Sequence, residues 1–117
     1  MSQKTASDAQ TADSERERAQ VEFRILCEKG NLVAAQANHA RHEWRHSEIN
    51  SNGEFWMHGV FAKACCRGDL GVAKWFLATF PQEREEIPIH RRRLMFEVRK
   101  ANATSVEAWL TEEGLAG

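Results

Sequence analysis

The segment AKACCRGDLGVAKWFLATFP, residues 62–81, constrains the fold most, because it predicts two helices joined by a tight turn. Apolar residues recur at helical spacing on both sides of Gly68. Gly68 suits the positive φ angle at a helix end, Asp69 suits the N-cap of the next helix, and Pro81 ends that helix. Each helix has one apolar face, and two helices alone cannot bury both faces. The pair therefore requires neighbouring helices.

The neighbours come from repetition of the same pattern. Residues 23–36, FRILCEKGNLVAAQ, align without a gap with residues 61–74, FAKACCRGDLGVAK, at an offset of 38 residues. A third copy follows at an offset of 34, where Trp109 aligns with Trp75 and Asn102 stands in place of the turn glycine. Copies with a period in the thirties are typical of a helical repeat array.

Composition favours one folded domain behind a polar tail. The chain has 117 residues, of which 42% are hydrophobic, and this is enough for one modest core. Residues 1–18 hold no apolar residue larger than alanine after Met1, so we expect a disordered tail there and a folded domain over residues 19–117. The chain shows no signal-peptide core and no membrane-spanning run. We expect an intracellular, cytoplasmic protein, located in a host cell if the chain is a viral protein or an effector.

Helix signals predict three helical hairpins and little or no sheet. We expect the first helix to begin at Asp13 or Ser14. Thr104 and Glu107 have the spacing of a capping box for the last helix. Loops are predicted at residues 46–54, around an Asn-Gly turn, and at residues 81–90, which contain two prolines. The predicted helices cover about residues 14–29, 32–44, 55–67, 70–80, 91–100 and 105–114.

Two stretches resemble ankyrin repeats. CEKGNLVAA at residues 27–35 and CRGDLGVAKWFL at residues 66–77 look like the junction between the two helices of an ankyrin repeat. Residues 68–90 are most similar to the divergent ankyrin repeats of protists and giant viruses. The resemblance implies an all-α fold, in which three helix-turn-helix repeats stack as a short ankyrin-like solenoid. The implied repeats cover about residues 19–50, 54–88 and 89–114. The Thr-Pro-Leu-His opening of ankyrin repeats is missing from all copies, so a tetratricopeptide-like or other helix-pair array stays open.

Histidines give the strongest metal signal in the sequence. His39, His42 and His46 recur at a spacing that can place imidazoles on one helix face. No cysteine or carboxylate completes an obvious set of four ligands, so a solvated polar face is the favoured interpretation. The sequence also shows no phosphate-binding loop and no nucleophile motif. We predict no catalytic residues, no metal and no cofactor.

Three cysteines fall on predicted helices and do not form a disulfide framework. Cys27 and Cys65 occupy equivalent positions in two copies, so we expect both thiols to be buried. Cys66 follows Cys65 directly and points about 100° away from it on a helix, so we expect it to be partly exposed.

The resemblance implies protein binding through the loop tips and the exposed face of each first helix. On this sequence, the implied partner-binding residues are Arg24, Glu28, Trp56, His58, Lys63, Arg67, Arg92 and Arg99. An exposed Trp56 would be a strong contact residue, although burial is the more common fate of a tryptophan. We therefore predict a non-enzymatic protein-interaction module, an adaptor or scaffold whose partner is another protein.

Other functions stay open. A short array without polar caps exposes apolar ends, so the chain can instead be a small structural subunit of a larger complex, or a homo-oligomer joined through its unfilled ends. Residues 90–93, HRRR, can bind phosphates, but the glutamates just before them and the net charge of −1 favour a salt-bridged surface over a nucleic-acid site. No membrane partner is predicted.

Overall fold

The computed structural model of the protein describes residues 2–49 and 53–117, with side chains from residue 14 to 49 and from 55 to 117. All regular structure in this part of the chain is helical, and it contains no strand. The prediction of an all-α fold is therefore confirmed. The elements are α1 (Ser2–Glu28), α2 (Leu32–His42), α3 (His46–Ile49), a 3₁₀-helix (Gly53–His58), α4 (Val60–Arg67), α5 (Leu70–Thr79), α6 (Glu83–Lys100) and α7 (Thr104–Glu112).

Turns of one geometry join α1 to α2, α4 to α5 and α6 to α7. Gly30, Gly68 and Asn102 have φ angles of 74°, 76° and 58°. In each turn the N–H group of the next residue donates to the carbonyl oxygen five residues earlier, at 2.9, 2.9 and 3.1 Å. Glycine adopts this left-handed conformation without a Cβ penalty, and asparagine is the next most tolerant residue. The predicted turn positions are confirmed.

Helix caps follow two of these turns. Asn31 and Asp69 each accept a hydrogen bond from the N–H group three residues later, at 3.3 and 3.2 Å. The cap predicted at Asp69 is confirmed. The capping box predicted at Thr104 is wrong. Thr104 is the first residue of α7, and the N-cap residue is Ala103, which has no side chain that can accept a hydrogen bond. Glu107 is instead held by Arg99, whose Nε donates to its carboxylate at 2.7 Å.

The helices pack as three pairs around one continuous core. Helix α1 contacts α2, α4 contacts α5, and α6 contacts α7, while α4 also contacts both α1 and α6. The residue seven positions before each turn is buried in every pair, namely Phe23, Phe61 and Met95. The ring of Phe61 lies 6.2 Å from that of Trp109, so the middle pair is joined to the last one. Burial of these side chains supplies the main driving force for packing.

The start of α1 differs from the sequence-based prediction. The helix begins at Ser2, within the predicted tail, and not at Asp13 or Ser14. Contacts with the rest of the molecule are present from Arg16, whose guanidinium carbon lies 4.5 Å from the centre of the Trp44 ring. Arg16 Nη2 also lies 3.0 Å from Glu48 Oε2. Side chains before residue 14 lie outside the described part, so the domain boundary after residue 18 stays a prediction.

Helix α6 corrects the loop that we predicted at residues 81–90. The helix begins at Glu83 and contains Pro88 as its sixth residue. A proline there lacks the N–H group that would bond to the carbonyl of Arg84, which normally interrupts a helix. The helix persists because Ile87 on one side of the proline and Leu94 beyond it are fully buried. Tertiary packing therefore outweighs the local helix-breaking signal.

The connection between α2 and α4 also differs from a simple loop. It forms the short helix α3 and a 3₁₀-helix, so that α4 begins at Val60 and not at residue 55. Asn52 of the predicted Asn-Gly turn lies outside the described residues. Among the residues that the structure describes, no helix is long and apolar enough to cross a membrane.

Candidate functional site

A cleft between α1 and α4 collects four of the eight residues predicted to bind a partner. Its volume is about 230 Å³. The cleft is lined by Arg24, Glu28, Ile49, His58, Gly59, Val60 and Lys63. Arg24 and Glu28 are one helical turn apart on α1, so both side chains project from the same face of that helix. Lys63 faces them from α4, and Ile49 is buried against the core.

Charged hydrogen bonds position the polar side chains of the cleft. Lys63 Nζ donates to Glu28 Oε1 at 2.8 Å, and both side chains remain more than 40% exposed. Arg24 Nη2 donates to the backbone carbonyl of Glu48 at 3.1 Å. His58 is exposed at the end of the 3₁₀-helix. The rim therefore presents three nitrogen-bearing side chains, two of them cationic, and one carboxylate.

Two other predicted residues have structural roles and do not line the cleft. Arg67 Nη2 donates to the carbonyl of Cys27 at 2.7 Å and lies 3.7 Å from Asp69 Oδ2, so it connects the first two turns. Trp56 is fully buried, which corrects the expectation that it forms an exposed contact residue. Burial is favourable because its indole N–H group donates to the buried carboxyl group of Glu83 at 2.8 Å.

Helix α6 carries the last two predicted residues, at a distance from the cleft. Arg92 is exposed and lines a shallow groove together with Ile89, Arg93 and Phe96. Arg99 is exposed and pairs with Glu107 of α7, with 2.7 Å between Arg99 Nε and Glu107 Oε2. The structure therefore places four of the predicted residues in the cleft and two on α6, whereas Trp56 and Arg67 belong to neither group.

A buried polar cluster, which the sequence did not indicate, joins three elements. Glu83 at the start of α6 is fully buried. Its Oε1 atom lies 2.6 Å from His46 Nε2, and its Oε2 atom accepts a hydrogen bond from Trp56 Nε1 at 2.8 Å. Burial raises the pKa of the Glu83 carboxyl, while the hydrogen bonds from His46 and Trp56 act in the opposite direction. The cluster anchors α3 and the 3₁₀-helix to α6.

His90 completes the surroundings of Trp56. The two rings stack with their centres 4.9 Å apart and an angle of 7° between their planes. His90 Nε2 is buried without a hydrogen-bond partner in the described part of the chain. It lies 3.5 Å from Glu86 Oε2, a distance that still allows electrostatic attraction when the imidazole is protonated.

The three histidines of the metal hypothesis have separate partners. His39 Nδ1 accepts a hydrogen bond from the backbone N–H group of Trp44 at 3.2 Å. The His42 ring stacks on the Trp44 ring at 5.0 Å, and His46 bonds to Glu83. Within the residues described, no group of three histidine, cysteine, aspartate or glutamate side chains could hold a metal ion.

The cysteines occupy the environments expected for them. Cys27 and Cys65 are free and fully buried, and Cys66 is partly exposed. Desolvation raises the pKa of the Cys27 thiol to about 12 and raises that of Cys65 strongly. It also raises the pKa of Cys66, with a further contribution from the Glu97 carboxylate. A thiol with a raised pKa is a poor nucleophile near neutral pH.

In comparisons with family models, curated proteins and solved structures, nothing matches this chain.

Proposed function

We propose that this protein is a non-enzymatic protein-interaction module, an adaptor or scaffold built as a short ankyrin-like array of three helix pairs. The shared geometry of the turns at Gly30, Gly68 and Asn102 supports the repeat interpretation. The position of α4 between α1 and α6 supports stacking of successive pairs. Arrays of this kind keep their scaffold and vary the surface that contacts a partner.

The observation that carries the proposal is the cleft between α1 and α4. Arg24, His58 and Lys63 offer nitrogen donors at its rim. The exposed pair between Lys63 and Glu28 contributes little to folding, because solvent screens it. A carboxylate of a partner can therefore replace Glu28 as the partner of the Lys63 ammonium group with little loss of folding free energy. The Arg24 guanidinium group can bind a second carboxylate through two parallel N–H groups. We propose an acidic segment of another protein as the occupant.

Affinity capture with cleft variants tests this function. The full chain is used as bait in a lysate of the cells that contain it, with and without nuclease, beside Lys63→Glu, Arg24→Glu and the control Lys74→Glu. Lys74 is exposed on α5, away from the cleft. We expect one stoichiometric protein that survives nuclease and is retained by the control. Each cleft variant should reduce its recovery about tenfold or more, because a charge reversal places like charges together.

Two results would contradict the proposal. If both cleft variants recover the partner as well as the control does, the cleft is not the binding site. If recovery disappears after nuclease treatment, the captured protein was bridged by nucleic acid. The arginines of α6 would then become the primary candidates, and binding should fall steeply as salt increases.

Exposed apolar side chains on α1 and α6 favour a second candidate function, that of a small structural subunit. Val21 is 54% exposed on α1, and Ile89 is 72% exposed on α6. Apolar surface of this kind is commonly covered in a permanent assembly. A subunit of this type would remain in a complex of fixed stoichiometry after washing at high salt, whereas an adaptor with a charged cleft would lose its partner.

A further inference from the structure

Helix α6 carries an apolar stripe on the face opposite its buried side. Ile89 and Phe96 are 72% and 62% exposed and lie seven residues apart, which places them two turns apart on one face. Arg92 and Arg93 stand beside them along a shallow groove. We call these residues the α6 stripe. Large exposed apolar side chains in one row mark a contact surface.

Helix α1 carries a second stripe, again opposite its buried side. Val21 and Ile25 are 54% and 41% exposed and lie one turn apart. The α1 stripe is formed by Ser14, Glu17, Arg18, Val21, Glu22 and Ile25. It shares no residue with the cleft between α1 and α4.

The residue of α4 that corresponds to Phe96 of α6 is Ala62, and in the middle of the molecule this position is covered. Counted back from the turns, Ala62 stands six residues before Gly68, and Phe96 stands six residues before Asn102. Ala62 is fully buried. Helix α4 packs against α6, and the Glu97 carboxylate of α6 is one of the groups that raise the pKa of Cys66, one turn further along that face of α4. Phe96 thus occupies the position that a further helix would cover.

A corresponding comparison between α4 and α1 shows that the α1 stripe occupies a position that is covered in α4. Val60 stands eight residues before Gly68, is buried, and lines the cleft against α1. Glu22 stands eight residues before Gly30. Glu22 and its neighbour Ile25 therefore occupy the position on which a helix placed before α1 would pack.

The two stripes have complementary charge. The α6 stripe carries two arginines beside its apolar residues. The α1 stripe carries Glu17 and Glu22 beside its apolar residues, with Arg18 as the accompanying cation. Charges of opposite sign around two apolar rows favour the pairing of one stripe with the other, and disfavour the pairing of two α6 stripes.

We propose that this protein self-associates head to tail, with the α6 stripe of one copy packed on the α1 stripe of the next. Helix α6 of one copy would then lie beside α1 of the next copy, as α4 lies beside α1 and α6 within one copy. Such a contact joins two different surfaces. A dimer therefore keeps one free α1 stripe and one free α6 stripe, and further copies can add at both ends to form a linear oligomer. The cleft is not involved, so this proposal and the proposed function can fail independently.

Sedimentation velocity of the full chain over a wide concentration range tests self-association. We expect the wild-type protein to form larger species as its concentration rises. Phe96→Glu and Ile25→Glu should each abolish this growth, because each variant replaces an apolar contact side chain with a carboxylate that the contact would remove from water. The control is Val33→Glu, since Val33 is 79% exposed on α2 and belongs to neither stripe. This control should assemble like the wild-type protein.

Mixing the two stripe variants provides the decisive measurement. Phe96→Glu keeps an intact α1 stripe, and Ile25→Glu keeps an intact α6 stripe. An equimolar mixture should therefore form a one-to-one dimer that grows no further, which also shows that both variants are folded. A wild-type protein that stays monomeric at every concentration would overturn the proposal. Continued self-association of Ile25→Glu alone, or of Phe96→Glu alone, would overturn it as well, because the contact would then join two like stripes.

Discussion

At the level of single residues, Glu83 is the charged side chain on which the connection between α2 and α4 depends. It is fully buried and receives hydrogen bonds from His46 and Trp56. A buried carboxylate without partners would be strongly destabilising, whereas a carboxylate with two donors is tolerated. The Trp56 ring in turn covers His90. One buried carboxyl group, through two hydrogen bonds, therefore connects two short helical segments to α6.

Substitution of Glu83 tests the importance of this cluster. We expect Glu83→Ala to lower the free energy of unfolding by about 2–4 kcal/mol, because it leaves buried donors on His46 and Trp56 without an acceptor. Glu83→Gln should cost much less, since its amide oxygen can still accept from Trp56. Urea unfolding measures both, with the exposed Glu85→Ala as control.

The pH dependence of the same variants follows from the direction of the pKa shift. Burial raises the pKa of Glu83 above its usual value of 4.5, so the folded state holds the proton more firmly than the unfolded chain. The stabilising contribution of Glu83 is complete below that value and is lost as the pH rises through the folded pKa. Wild-type protein should therefore lose stability relative to Glu83→Gln as the pH is raised. Parallel profiles for the two proteins would show that burial does not perturb this carboxyl.

At the level of secondary structure, α6 contains the clearest conflict between local and tertiary preference. Pro88 removes one backbone hydrogen bond near the start of the helix. Glu83, Glu85 and Glu86 lie in the first turn, where negative charge interacts favourably with the helix dipole. The fully buried Ile87 fixes the segment against the core. The helix is therefore stabilised by its ends and its buried face, and not by its local propensity.

Replacement of Pro88 should stabilise the protein. Pro88→Ala restores an N–H group that can donate to the Arg84 carbonyl and removes the clash of the ring with the preceding turn. We expect the free energy of unfolding to rise by about 1–3 kcal/mol, measured by thermal or urea unfolding. Pro81→Ala is the matched control, because Pro81 precedes the helix and blocks no helical hydrogen bond. Equal effects of the two substitutions would mean that Pro88 causes no local strain.

At the level of the whole molecule, the core passes through all three helix pairs and encloses two of the three thiols. Cys27 lies at the end of α1 and Cys65 in α4, and both are fully buried. Cys66 also lies in α4 and is partly exposed. Access of a reagent to the two buried thiols therefore requires opening of the packed pairs.

Thiol labelling should resolve this difference. A neutral aromatic disulfide reagent should modify one thiol of the native protein slowly, and all three thiols after denaturation. Cys66→Ser should remove the native reaction, while Cys27→Ser should leave it unchanged. Rapid native labelling of Cys27 or Cys65 would contradict the close packing of α4 against its neighbours.

Sequence reasoning located the features that depend on a few neighbouring residues. Gly30, Gly68 and Asn102 could be assigned to turns because a left-handed φ angle restricts the residue type at one position. The buried thiols at Cys27 and Cys65 could be predicted because the two cysteines stand at the same position, three residues before the turn glycine, in two similar segments. Four cleft residues could be named because the resemblance to ankyrin repeats implies binding through the loop tips and the exposed face of each first helix.

The remaining features depend on contacts between distant parts of the chain. Glu83 lies 37 residues from His46 and 27 from Trp56, and no local pattern marks a glutamate in an acidic segment as buried. Local rules predict a loop at Pro88, because the burial of Ile87 cannot be read from its neighbours in sequence. Local patterns therefore account for most of the helices, the turns between their pairs and much of the core. The start of α6, the burial of Trp56 and the set of charged residues that share the cleft depend instead on the free energy of packing between segments far apart in the chain.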